Sequence, residues 1–161
     1  MLYLNKKRIG LYCLGLILLS VLGFITLAQP YRYTGDCMEP ALKDGHLYFL
    51  NRIAPYLRHY QIGDVILFKH EEKVWISRIV ALEDNTIHIT DNNIIVNGLS
   101  LHDTKIHRNW AGWKLGSYAI DKPFQVPGEH VFVLSDNLSA QHDDSRVFGP
   151  ISKELILGVV W

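Results

Sequence analysis

The chain has 161 residues, room for one membrane segment and one globular domain large enough to bury a core without disulfides. Sixteen basic residues balance sixteen acidic ones, which gives no sign of a nucleic-acid partner or of a strongly charged substrate. The 8 histidines form no close pair at metal-ligand spacing, the 2 cysteines offer no disulfide framework, and no internal repeat is present.

Lys6-Lys7-Arg8 precedes an uncharged apolar run from Ile9 to Ala28, closed by Gln29-Pro30. Roughly twenty residues at ~1.5 Å rise cover the roughly 30 Å hydrocarbon core of a bilayer. The basic cluster on the N-terminal side predicts residues 1–8 in the cytoplasm, a transmembrane helix over 9–28 and an outer domain over 29–161. That places the protein in the cytoplasmic membrane as a single-pass chain. A cleavable signal peptide is the rival reading, but the run is long for such a segment and Pro30 would adjoin the cleaved bond. Cys13 falls inside the run. Cys37 follows Ala28 by few enough residues to lie within about 30 Å of the membrane exit, so a bridge between the two cysteines is not expected.

From Tyr31 onward the pattern is that of strands. "HLYFLNRI", "DVILFKH", "VWISRIVAL", "TIHITDNNIIVNG" and "HVFVLSD" are short runs rich in β-branched and aromatic residues, separated by turn residues. No window shows a sustained helical period. "ISKELILG" reads either as one short helical turn or as a strand, and Asp103 to Pro127 reads as an irregular excursion of the sheet. The fold class is therefore mostly β, a domain of short strands behind one N-terminal transmembrane helix.

The anchor, then "TGDCMEPAL", "GDVILFK", "WISRIVAL", "IIVNG" and "LSDNLSAQHDDSRVFGPI" in this order resemble bacterial signal peptidase I. The resemblance runs through nearly the whole outer domain, and "DSR..GP" is its most specific piece. It implies a β-rich domain with an apolar surface on the membrane lipid. It implies cleavage of signal peptides from exported preproteins by a serine nucleophile and a lysine base, without metal or cofactor. Met38, Pro40, Arg78, Asn97-Gly98, Asp144, Ser145 and Arg146 match the family's motifs. The chemistry does not. Cys37 stands for the nucleophilic serine, Ala41 for the motif's last threonine, and Ser77 for the lysine base. Counting back from Asp144, the family serine that hydrogen-bonds the base becomes His142. Some inactive members of the family lack both dyad residues, and the serine in the lysine position resembles them.

A thiol is intrinsically a better nucleophile than a hydroxyl, so Cys37 is the milder change. Ser77 cannot act as a base near neutral pH. Lys73 is ~13 Å away along the strand, and Arg78 stays protonated and points to the other face. His142, oriented by Asp143 or Asp144, is the candidate replacement base, and its rival reading is a solvated loop histidine. Asp144 and Arg146 are expected to form a structural ion pair, and Met38 to pack under the nucleophile's turn. Gly35 leaves backbone N–H groups alone to hold an oxyanion. Trp75, Trp110, Trp113 and Tyr118 are read as core or as a membrane-facing surface. The resulting expectation is a membrane-anchored, signal peptidase I-like protein acting on exported preproteins with proteolysis impaired or absent. The alternatives are an active or specialised signal peptidase or pilin-processing enzyme using Cys37 with His142, and a non-catalytic chaperone or assembly factor for secreted or pilus subunits.

Overall fold

A computed structural model describes residues 6–90, 93–101, 118–120, 122–137 and 142–161. The chain starts with helix α1 (Lys6–Leu27), whose side chains are described at 8–20 and at 23. Among the described residues no helix is long and apolar enough to cross a membrane. The described apolar run 9–20 measures only ~18 Å, and the rest of the expected span, at 21–22 and 24–27, lies outside the described side chains.

The helix ends one residue earlier than the sequence suggests. Ala28 already opens a strand, β1 (Ala28–Arg32), which contains Pro30. Proline donates no ladder hydrogen bond, and β1 is the outermost strand of its sheet, where that loss is tolerated. After a loop come β2 (Leu47–Asn51), the one-turn helix α2 (Ala54–Leu57), β3 (Val65–His70) and β4 (Lys73–Ala81). Then follow β5 (Thr86–Thr90), β6 (Asn93–Val96), β7 (Leu99–Ser100), β8 (Phe124–Gln125) and β9 (His130–Leu134). The chain closes with the short helix α3 (Ser145–Phe148), β10 (Ile151–Ser152), a 3-10 turn at Lys153–Leu155 and β11 (Ile156–Val160). "ISKELILG" is thus turn and strand together. Most of the expected excursion, with Trp110 and Trp113, lies outside the described residues; 118–120 and 122–127, with β8, are the part of it that is described.

A seven-stranded sheet runs β1-β2-β11-β3-β4-β9-β10, and a four-stranded sheet runs β7-β6-β5-β8. Every described pairing is antiparallel. The "NG" at Asn97-Gly98 makes the β6–β7 turn with φ 52° and 78°, the left-handed pair that two-residue hairpins require. Alternation on β3 and β4 sends side chains to two separate cores. Val65, Leu67 and Ile76 join one cluster with Tyr33, Cys37 and Met38. Ile66, Phe68 and Ile79 join another, on which Trp75 and Phe148 pack. A third cluster lies between the small sheet and Val80, Ala81, Phe132 and Leu134, and Tyr118 packs against it. Trp75 and Tyr118 therefore pack against the core.

Gly158 lies where β11 crosses β2. A Cβ there would stand 2.7 Å from the Asn51 carbonyl oxygen, a backbone atom that cannot turn aside. Gly158→Ala is expected to lower the unfolding free energy by about 1–3 kcal/mol, the range for overpacking, measured by chemical denaturation against the parent chain.

Candidate active site

The loop between β1 and β2 carries Cys37, and its shape is set locally. Gly35 has φ 121°, a conformation L side chains rarely adopt, and its N–H donates to Asp44 Oδ1 at 2.9 Å. Glu39 N–H donates to the Asp36 carbonyl and Leu42 N–H to the Met38 carbonyl, which winds 36–42 into a tight turn. Pro40 sits on the exposed side of that turn, while Met38 is buried beneath it. The segment after β9 holds the loop from the other side. Asn137 N–H donates to the Cys37 carbonyl at 2.8 Å, and Asn137 Nδ2 donates to the Asp36 carbonyl at 3.2 Å.

Cys37 is only 6 % exposed. Its Sγ lies 3.3 Å from Tyr33 Oη, and the same hydroxyl accepts the Met38 N–H at 2.9 Å. Burial pushes the thiol pKa up, the Tyr33 hydrogen bond pulls it down, and the charges of Asp36 and Asp136 push it up again. The net direction is up, so the group rests as a thiol at neutral pH.

Ser77 is fully buried, and its hydroxyl donates to the Ile76 carbonyl at 2.7 Å. Its one hydrogen goes to its own strand, and no described hydrogen bond joins it to Cys37. Arg78, next on β4, is buried in a two-pronged ion pair with Asp136: Nε reaches Oδ1 at 2.6 Å and Nη2 reaches Oδ2. Arg78 Nη1 also donates to the Gly63 carbonyl at 2.6 Å. The pair clamps β4 to the segment that holds the Cys37 loop.

Asp144, Ser145 and Arg146 form a second clamp. Asp144 caps α3 by accepting from Arg146 N–H at 3.0 Å, and it takes Arg146 Nε and Nη2 at 2.8 Å each. It also accepts the Ser135 N–H at 3.2 Å, while Ser145 Oγ accepts the Val133 N–H at 3.0 Å. These side chains take up backbone groups at the end of β9. Gly149 ends α3 at φ 82°, with the Tyr118 ring 3.0 Å from where a Cβ would be.

His142 lies against Trp75 in a T-shaped contact, ring centroids 4.9 Å apart. Its Nε2 is buried without a hydrogen-bond partner among the described residues. Cys37 packs in the cluster of Ile76, and His142 against Trp75 of the neighbouring cluster. No described hydrogen bond links the two. Lys73 is exposed at the far end of β4, paired with His70. Among the described residues, therefore, the hydrogen-bond partner of the sulfur is a phenol and not a base.

Burial lowers the His142 pKa, and the nearby Asp144 and Asp143 carboxylates offset this only in part. A folded-state pKa below the unfolded value means that the unfolded chain takes up the proton first as pH falls. The stability tied to a neutral His142 is then present above the unfolded pKa of about 6.5 and lost below it. His142→Gln is expected to lose less stability between pH 7 and pH 5 than the parent, read from paired denaturation curves. An equal loss in both chains would contradict it.

One residue of this arrangement escapes a motif reading, and two others stand in a motif that does not reveal their partners. Asp136 and Asn137 stand inside the recognisable "SDN", but their partners are far away in sequence. Tyr33, four residues before Cys37, carries no motif signal at all. One further feature is an edge. β4 pairs with β3 from Lys73 to Arg78 but with β9 only from Arg78 to Ala81. Among the described residues, 73–77 therefore presents one unpaired side, at the place where β9 departs towards Cys37.

Comparison with known proteins converges on one group. The profile of the family described as signal peptidase, peptidase S26, matches residues 6–161. A signal peptidase I of Bacillus amyloliquefaciens is 26% identical over 145 residues, covering 88% of this chain and 78% of that protein. Signal peptidase I P of Bacillus subtilis subsp. natto is 26% identical over 167 residues, covering 96% and 88%. The crystal structure of a signal peptidase I from Enterococcus faecalis V583 superposes with a TM-score of 0.50 at 24% identity, covering 63% of this chain and 97% of that one. That likeness extends to the fold.

Proposed function

The chain belongs to the signal peptidase family, peptidase S26, and from that premise we propose that it receives exported preproteins while lacking the family's Ser/Lys hydrolysis. The observation behind this reading is the environment of Cys37. Its sulfur is buried, held towards the thiol form by that burial, and hydrogen-bonded to a tyrosine hydroxyl, while the position of the lysine base holds a serine bonded to its own strand. A nucleophile of this kind needs a partner to take its proton. The two buried ion pairs and the 36–42 turn keep the Cys37 loop and the end of β9 in shape without needing a reaction.

The substrate segment is the extended, small-residue end of a signal peptide, on secreted or pilus subunits. It adds as a strand to the unpaired edge of β4. The chain is a single-pass protein of the cytoplasmic membrane, with α1 as the core of its anchor and the β domain outside. Lys6-Lys7-Arg8 and the apolar sequence 9–28 support that orientation. Protease added to intact spheroplasts is expected to digest the β domain and to leave a small N-terminal fragment. Full protection would reverse the topology.

The detergent-solubilised chain is expected to bind a signal-peptide-bearing preprotein in preference to its mature form, and Cys37→Ala is expected to bind equally. Equal binding of both forms would overturn the proposal. A second reading has one observation in its favour, the buried, unpartnered Nε2 of His142, which suits a base awaiting a proton. On that reading Cys37 and His142 act together when substrate is bound. A Cys37 thiol titration that stays unchanged in His142→Ala with peptide bound would remove it.

A further inference from the structure

We propose that Tyr33 is a positioning residue for Cys37, donating its hydroxyl hydrogen to the sulfur and so orienting it and favouring its anion. The direction of that bond follows from counting. Tyr33 is fully buried. Its oxygen already accepts the Met38 N–H at 2.9 Å, so the hydroxyl hydrogen has still to be placed. Among the described residues, the remaining polar atom at hydrogen-bond distance is Cys37 Sγ, at 3.3 Å. A buried O–H left without an acceptor is costly, and this assignment satisfies both the phenol and the Met38 N–H. The reverse assignment, with S–H donating to the oxygen, strands the phenol hydrogen in the core.

A neutral sulfur is a weak acceptor and a thiolate a strong one, so the bond strengthens as the proton leaves. Tyr33 therefore lowers the cost of forming the anion without taking the proton. It cannot be the base, because burial and the contact with Cys37 push its own pKa far up. Two carboxylates facing the sulfur oppose the anion, Asp36 from the same loop and Asp136, paired with Arg78, from the segment after β9. Tyr31, from β1, has its own pKa raised by burial and by Cys37 and stays neutral. Tyr33 stands against burial and these carboxylates. It supplies part of what a cationic base would otherwise supply at this position.

The inference rests on the reading of Cys37 as the nucleophile position. Its readout is the thiol's own titration, which needs no cleavage, so either can fail without the other. The full chain would carry Cys13→Ser so that a single thiol reacts, and iodoacetamide alkylation would be followed against pH. Tyr33→Phe keeps the ring and removes the hydroxyl. The reaction midpoint is expected to move to higher pH, with on the order of tenfold less thiolate at a given pH below it. An unchanged or lower midpoint would overturn the proposal. The infrared S–H stretch of the Tyr33-containing protein is a second measurement that survives misfolding of the variant. A sharp band at the position of a non-donating thiol is expected, and a broadened, down-shifted band would show the sulfur donating instead.

Discussion

Asp144→Ala is expected to lower the unfolding free energy by about 3–5 kcal/mol, the range for removing one partner of a buried ion pair. Arg146 is 1 % exposed and Asp144 fully buried, so the deletion takes a paired carboxylate away from a guanidinium in the core. The loss exceeds one ion pair. The carboxylate also accepts the Arg146 and Ser135 N–H groups, so the cap of α3 and a tie to the end of β9 go with it. Asp144→Asn keeps an acceptor for these N–H groups and is expected to lose less. Adding Arg146→Met to Asp144→Ala removes the buried charge as well and is expected to recover part of the loss. A double variant no more stable than Asp144→Ala would show that the cap, not the charge, carries the effect. Chemical denaturation followed by tryptophan fluorescence measures all of them.

Asp136→Ala is expected to be comparably costly, about 3–5 kcal/mol by the same reasoning, and to reach further. Its partner Arg78 is 2 % exposed and is fixed on β4. Asp136 precedes Asn137, whose N–H and side-chain amide hold the backbone of 36 and 37. Loosening that segment frees the Cys37 loop as well as destabilising the sheet. Cys37 alkylation at a fixed pH is expected to accelerate in Asp136→Ala, since exposure rises and a nearby negative charge is removed. Ile94→Ala destabilises the cluster under the small sheet, which shares no residue with the Cys37 cluster, and is expected to leave the alkylation rate alone. Equal acceleration in both variants would mean that general destabilisation, and not the clamp, controls access to the thiol.

The strands were legible because short runs rich in β-branched and aromatic residues stand between turn signals. "DVILFKH" and "VWISRIVAL" became β3 and β4, and Asn97-Gly98 became the turn that its composition implies. β1 was not legible, because Pro30 argues against a strand unless its place at the sheet edge is known. The one-turn helices α2 and α3 are too short to show a period. At the site, the motif order located Cys37, Ser77, Arg78 and the 144–146 run in sequence. Sequence spacing says little about which side chains meet when the partners are decades of residues apart. Arg78 and Asp136 are 58 positions apart, and Asn137 and Asp36 are 101 apart. Tyr33 was missed for the opposite reason. It is close to Cys37 in sequence, but an aromatic beside a strand end looks like ordinary core, and only the turn at 36–42 brings its hydroxyl to the sulfur.

These features together describe a clamped loop around a thiol that, among the described residues, is bonded to no base, so the central question is hydrolysis. The most direct test is incubation of the detergent-solubilised full chain with signal-peptide-bearing preproteins near neutral pH, beside Cys37→Ala. The account predicts no mature product from the parent above the level seen with Cys37→Ala. Mature product formed by the parent and abolished in Cys37→Ala would contradict it.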